Sequence, residues 1–422
     1  MTTLLDPAVI DSSSSPVRNS LWWARTATGL WASPLFAAGV IFCYWSAATK
    51  DVALWGDVNW AVGYSPVLLA PLGAAVGAWA GTRARWDRTV DLFDATGRHR
   101  CWRAVRTVTT DWMFACLGML AGSLACAIGP LAARSWGSVD LLLVLTAVAG
   151  VWAGMSLGYL LGWLLPHWLT MGAAAIVVYV AQGLLLGTHW QWLFPMTETA
   201  RIFASWPAHL SLTRVTFFVL MGATAILLSS VGRPRDVLWV TGVAGATLIA
   251  GSQLHGWQVQ PGDEIRADVC AGDQPRVCVH QAYASLAAQI AHETAAVLSP
   301  LAGTAHAPKL VVQSVGQPGF DQSSGVLTFN LMSVDGHVLN SAGLATIGLG
   351  MLDSPGSTAC ADLPPDQAAA GSRARNRIAA LMMRQAQDPT ERGRAHLVSA
   401  FSERWDALRA CTASVADLRA HS

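Results

Sequence analysis

Seven apolar stretches in the first 256 residues constrain this chain more than anything else in it. They lie near 27–48, 60–82, 109–132, 140–165, 168–188, 212–232 and 237–256. Each can form a helix long enough for a hydrocarbon core, which takes about 20 residues. Only 26 charged residues stand before position 257, ten of them within 83–106, against 27 in the shorter remainder. Buried helices of a soluble core would not be so long or so free of charge. Nineteen of the twenty tryptophans lie at or before Trp257, and many sit at stretch ends, including Trp22, Trp23, Trp45, Trp60, Trp136, Trp163, Trp168 and Trp239. That is the pattern of an interfacial belt. Polar residues 11–16 precede a first stretch too long for a signal peptide, so it is expected to stay as an anchor.

The expected fold is mainly α: a polytopic membrane protein of about seven crossings followed by a soluble α+β unit. Residues 1–26 are a cytoplasmic N-terminal segment, 27–256 the transmembrane domain and 257–422 an extracytoplasmic domain. With the N-terminus inside, eleven arginines fall in cytoplasmic segments and four basic residues outside, Lys50, Arg134, Arg201 and Arg214. The positive-inside bias then places the chain in the cell membrane with its last domain outside. A net charge of +1 offers nucleic acid nothing to bind.

Four cysteines, Cys270, Cys278, Cys360 and Cys411, stand after residue 257. An even number in an exported domain fits disulfides. Three pairings are open, and Cys270–Cys278 with Cys360–Cys411 is favoured. The alternative is four free thiols in a cytoplasmic domain. Without a C-x-x-C pair a zinc site is not expected.

Ion-coupled carriers keep ionisable groups near the bilayer centre. Here Asp111, Asp140 and Arg214 are placed at span ends, and the interiors are Leu, Val, Ala and Gly. Gly73, Gly77 and Gly81, then Gly150, Gly154, Gly158 and Gly162, recur every fourth residue. Such rows allow close helix contact, within the chain or across a dimer seam. The two lysines, Lys50 after Thr49 and Lys309 after Pro308, cannot complete a G-x-x-x-x-G-K-[ST] loop. The membrane part therefore reads as one driven from outside itself.

Residues 83–106 read RARWDRTVDLFDATGRHRCWRAVR. Asp87 can cap a short helix, Val90, Leu92 and Phe93 form an apolar patch, and Gly97 can stop it. Arg98, Arg100 and Arg103 lead into the third span. This loop resembles the coupling segment of ABC-2-type exporter permeases, whose second and third helices are joined by a run of the kind T-L-E-L-L-L-A-T-P-x-S-R. Thr89 to Thr96 occupy that run and Arg98 to Arg103 match its basic tail, so the resemblance makes Asp87, Arg88, Thr89, Val90, Asp91, Leu92, Phe93, Asp94, Thr96, Gly97 and Arg98 the candidate coupling residues. Gly97 stands where the family usually has proline. The polar-aromatic stretch 188–212 matches the family's outer segment between helices five and six, and the resemblance covers about 20–232. It implies a six-helix core working as a homodimer or with a sister permease; the seventh helix and the large domain that follow depart from the family. It also implies a separate cytoplasmic ATP-binding subunit and an amphiphilic or apolar cargo. An arginine-rich loop that only sets topology is the plainer reading.

In the remainder, strands are expected at 264–269, 277–280, 309–314 and 325–331, and helices at 281–298, 340–349, 373–387 and 391–419. His292-Glu293 begins an H-E-x-x-H pattern that Ala296 breaks, and there is no G-x-S-x-G. Neither an enzyme nor a metal or cofactor site is expected. Two functions stand: a permease subunit of an ABC exporter, or a non-transporting membrane-anchored receptor or immunity protein whose outer domain binds a ligand.

Overall fold

The computed structural model describes residues 28–48, 52–86, 100–185, 208–231, 234–254, 267–314, 319–329, 347–353, 360 and 363–413. Within them the first 254 residues supply eight helices: α1 (Thr28–Ala47), α2 (Trp55–Tyr64), α3 (Pro66–Trp86), α4 (Arg100–Ala132), α5 (Leu141–Leu164), α6 (Thr170–Leu185), α7 (Ala208–Ser230) and α8 (Pro234–Ser252). Among the described residues, five spans are long and apolar enough to cross a membrane: Thr28–Ser46, Trp55–Trp86, Cys101–Ala132, Leu141–Leu164 and Ala208–Ser230. Thr170–Leu185 and Val237–Ser252 are shorter apolar helices. The break between α2 and α3 falls at Ser65, where Pro66 brings no N–H and occupies the first helical position of α3. Asp140 starts α5 by accepting from the backbone N–H groups of Leu142 and Leu143 at 3.0 and 3.1 Å.

Two glycine seams set the packing. Along α3, Gly77 and Gly81 lie against backbone of Met155 and Tyr159; along α5, Gly154, Gly158 and Gly162 lie against the carbonyls of Ala70, Ala74 and Ala78. The rows of glycine thus face each other within one chain. A similar seam joins α1 to α4, where Gly118 meets Ser33 and Gly122 meets Ala37. Residue numbers rise together along both seams, so α1 runs parallel to α4 and α3 parallel to α5. One end of the bundle therefore holds the start of α1, the end of α3 and the start of α4. The other holds the α1–α2 and α4–α5 connections.

The later part forms a small unit around a five-stranded mixed sheet of order β1-β2-β3-β5-β4. Its strands are β1 (Val269–Ala271), β2 (Arg276–Val279), β3 (Leu310–Gln313), β4 (Gly319–Asp321) and β5 (Val326–Phe329). β2, β3 and β5 are mutually parallel, while β1 and β4 run antiparallel at the edges. A 3-10 turn (Gln281–Leu286) and α9 (Ala287–Leu298) carry the chain from β2 to β3, as a parallel pair requires. Helices α10 (Pro365–Gln387) and α11 (Glu391–Arg409) follow. Val277, Ile290, Val311, Leu327, Phe329, Ile378, Met382, Phe401 and Trp405 share one buried core.

Several expectations shift. The strand at 264–269 appears as Val269–Ala271, paired with β2 so that Cys270 lies opposite Cys278. Strand β4, three residues with one large apolar side chain, is too short to stand out in the sequence. The helix placed at 281–298 opens as a 3-10 turn, with Tyr283 off helical geometry. The last helix stops at Arg409 rather than 419, because Cys411 takes a φ of 60°, outside helical space. Cys270 is disulfide-bonded to Cys278, and Cys360 to Cys411.

Candidate functional site at the basic end of the bundle

The predicted coupling segment, Asp87 to Arg98, lies outside the described residues. Its frame does not. On the side entering it, the last turn of α3 is fastened to the end of α5. Thr82 donates to the Gly162 carbonyl at 3.4 Å, Arg85 Nη1 to the Trp163 carbonyl at 2.6 Å, and Trp86 Nε1 to the Pro166 carbonyl at 3.0 Å. The Arg85 guanidinium also stands 5.7 Å from the Trp163 ring. The final carbonyls of a helix lack partners within it and carry partial negative charge, so these donors satisfy α5 while anchoring α3.

On the side leaving the segment, α4 is tied to α1. Asp111 accepts from the backbone N–H of Gly29 at 2.7 Å in a buried contact, capping the start of α1 across 82 residues of sequence. A Cβ at Gly29 would collide with the Asp111 backbone, so the two helices meet main chain to main chain. Arg83 acts electrostatically on Asp111, and Arg103 on Tyr159. Four helices, α1, α3, α4 and α5, are thus bound together where the loop begins and ends.

Of the three ionisable groups assigned to span ends, Asp140 is the N-cap of α5. Asp111 is the twelfth residue of α4 and 3% exposed; Arg214 is the seventh of α7 and 2% exposed. The reason for Asp111 is the length of α4. Its 33 residues extend about 50 Å at 1.5 Å each, against a hydrocarbon core of about 30 Å. Since Asp111 lies level with Gly29, the helix starts about 15 Å beyond Thr28, the first described residue of α1. No pattern in the sequence names Gly29 as the partner of Asp111.

The opposite end carries a second junction. Leu54, in the α1–α2 connection, is 1% exposed and belongs to the hydrophobic core of the sheet unit, with Val52 packed beside it. Ser135 donates to the Ala53 carbonyl, holding the α4–α5 connection to the same segment. Trp136 meets the His280 ring edge-on, with centroids 4.4 Å apart. His292 is exposed on α9 beside Glu293. Among the described residues no three His, Cys, Asp or Glu side chains gather as a metal-holding group. Comparisons with protein-family models, curated proteins and solved structures give no match.

Proposed function

We propose that this chain is the membrane permease subunit of an ABC exporter, moving an amphiphilic or apolar cargo with energy from a separate ATP-binding subunit. The observation that carries the reading is the length of α4 beside the 87–98 segment. A 33-residue helix, about 20 Å longer than a hydrocarbon core of about 30 Å, gives a soluble partner a rigid lever clear of the lipid. Its four-helix knot passes displacement at that end to α1, α3 and α5 together. Arg103 and Arg106 in the first turns of α4, with Arg83 and Arg85 on α3, suit the cytoplasmic face by the positive-inside rule. Seven crossings leave the sheet unit outside the cell. The glycine seams are spent inside the chain, so a homodimer or heterodimer would form through other faces.

Copurification tests this directly. Wild-type chain should retain a soluble ATPase from its host, and Leu92→Asp with Phe93→Asp should abolish retention without changing yield. An ATPase that stays bound to the double variant would remove the loop as coupling element. A chain that retains none would be read as a membrane-anchored receptor or immunity protein.

A further inference from the structure

The carboxyl ends of β2, β3 and β5 lie along one edge of the sheet, and β3 is the middle strand of the five. Sheets with parallel strands take their ligands at that edge. Gln313 is the last residue of β3 and is 1% exposed. Its Oε1 accepts from the backbone N–H of His280 at 2.9 Å, extending the β2–β3 pairing past the end of β2. With the oxygen committed there, the amide orientation is set, and Nε2 is buried without an acceptor. An unmade buried donor is costly, and a bound acceptor would remove that cost.

The surroundings of this amide are held in place. His280 Nδ1 accepts from the backbone N–H of Ala282 at 3.1 Å, which fixes the imidazole. Trp136, reaching over from the end of the helix bundle, packs against that imidazole while staying 45% exposed. A committed polar group, a fixed histidine and a half-open aromatic surface therefore converge between the sheet unit and the bundle.

We propose that Gln313 anchors a ligand site at this seam, donating from Nε2 to a carbonyl-type oxygen on the head group of an amphiphile whose apolar part lies along Trp136. This deepens the export reading, since it names the polar group by which cargo would be held at the mouth of the bundle. Binding needs no ATPase, so it is separable from the copurification result.

The test uses the full chain in lipid nanodiscs, with radiolabelled decanoate, decanamide and decyltrimethylammonium as probes and empty nanodiscs as background. Decanoate and decanamide should bind saturably and decyltrimethylammonium should not; preference between the first two separates an acid from an amide ligand. Gln313→Met removes the Nε2 donor and should weaken both bound probes at least tenfold. If that variant fails to fold, Gln313→Leu, which also removes the donor, carries the same expectation. Absence of saturable binding, equal binding of all three probes, or a folded variant with unchanged affinity would each overturn the proposal.

Discussion

His280 and His306 are both held toward the neutral form. Burial is the larger cause at each: it lowers His280 against the raising pull of Asp268. It lowers His306 alongside Arg409, with Asp406 pulling the other way. His306 stacks on Trp405 at 4.2 Å, so its charge state bears on the core of the sheet unit. An imidazole whose folded pKa lies below its unfolded value of about 6.5 binds fewer protons folded than unfolded in the interval between them. Stability is therefore undiminished above about 6.5 and falls as acid is added below it. The thermal midpoint of the sheet unit should drop between about pH 7 and pH 5, and His306→Phe should flatten the slope. A wild-type midpoint that holds or rises on acidification would refute this. Asp321, pulled down to about 2 by Ser324 and Ser323, loses its contribution only below about pH 4. It leaves that window clear. Neither histidine carries ligand spacing in the sequence, and their packing against Trp136 and Trp405 depends on contacts that no local pattern encodes.

Among elements, the α3–α5 seam makes the most direct demand on side-chain size. A methyl group at Gly158 would meet the Ala74 carbonyl and neighbouring backbone, which cannot swing aside. Gly172 on α6 has nothing within 4 Å. Gly158→Ala should therefore destabilise the bundle by about 1–3 kcal/mol, the usual cost of overpacking. Gly172→Ala should be neutral or slightly favourable, as alanine is the better helix former. Unfolding of the purified protein in mixed micelles compares them, and equal midpoints would mean the seam yields. The four-residue spacing of these glycines was legible in the sequence. Whether they met within the chain or across a dimer was not, because both contacts ask for the same small residues.

At the scale of the whole molecule, the parallel course of α1 with α4 and of α3 with α5 puts the basic loop and the sheet unit at opposite ends. Cys101 lies on α4 near the basic end, and the two disulfides lie in the sheet unit. In intact cells an impermeant reductant and maleimide should reach the partly exposed Cys270 or Cys360, while Cys101 should react only after permeabilisation. The reverse pattern would invert the proposed orientation. The sheet unit is also no loosely tethered appendage: Leu54 sits in its core and Trp136 on its edge. Helix movement in α1, α2, α4 or α5 would therefore be felt there.

Sequence alone determined where the chain is apolar, with five of the seven stretches forming helices of membrane length among the described residues, that the final part is richer in charge, and which cysteines were available for pairing. These properties add up residue by residue along the chain, and so they survive without coordinates. The tertiary structure decided who meets whom: Gly158 against Ala74, Asp111 at the head of α1, Gln313 at the end of β2, Trp136 over His280. Each pairing joins residues far apart in sequence, and its geometry follows from the packing of everything between them. That is why the apolar spans can be read by eye, whereas the contacts at the two ends of the bundle cannot.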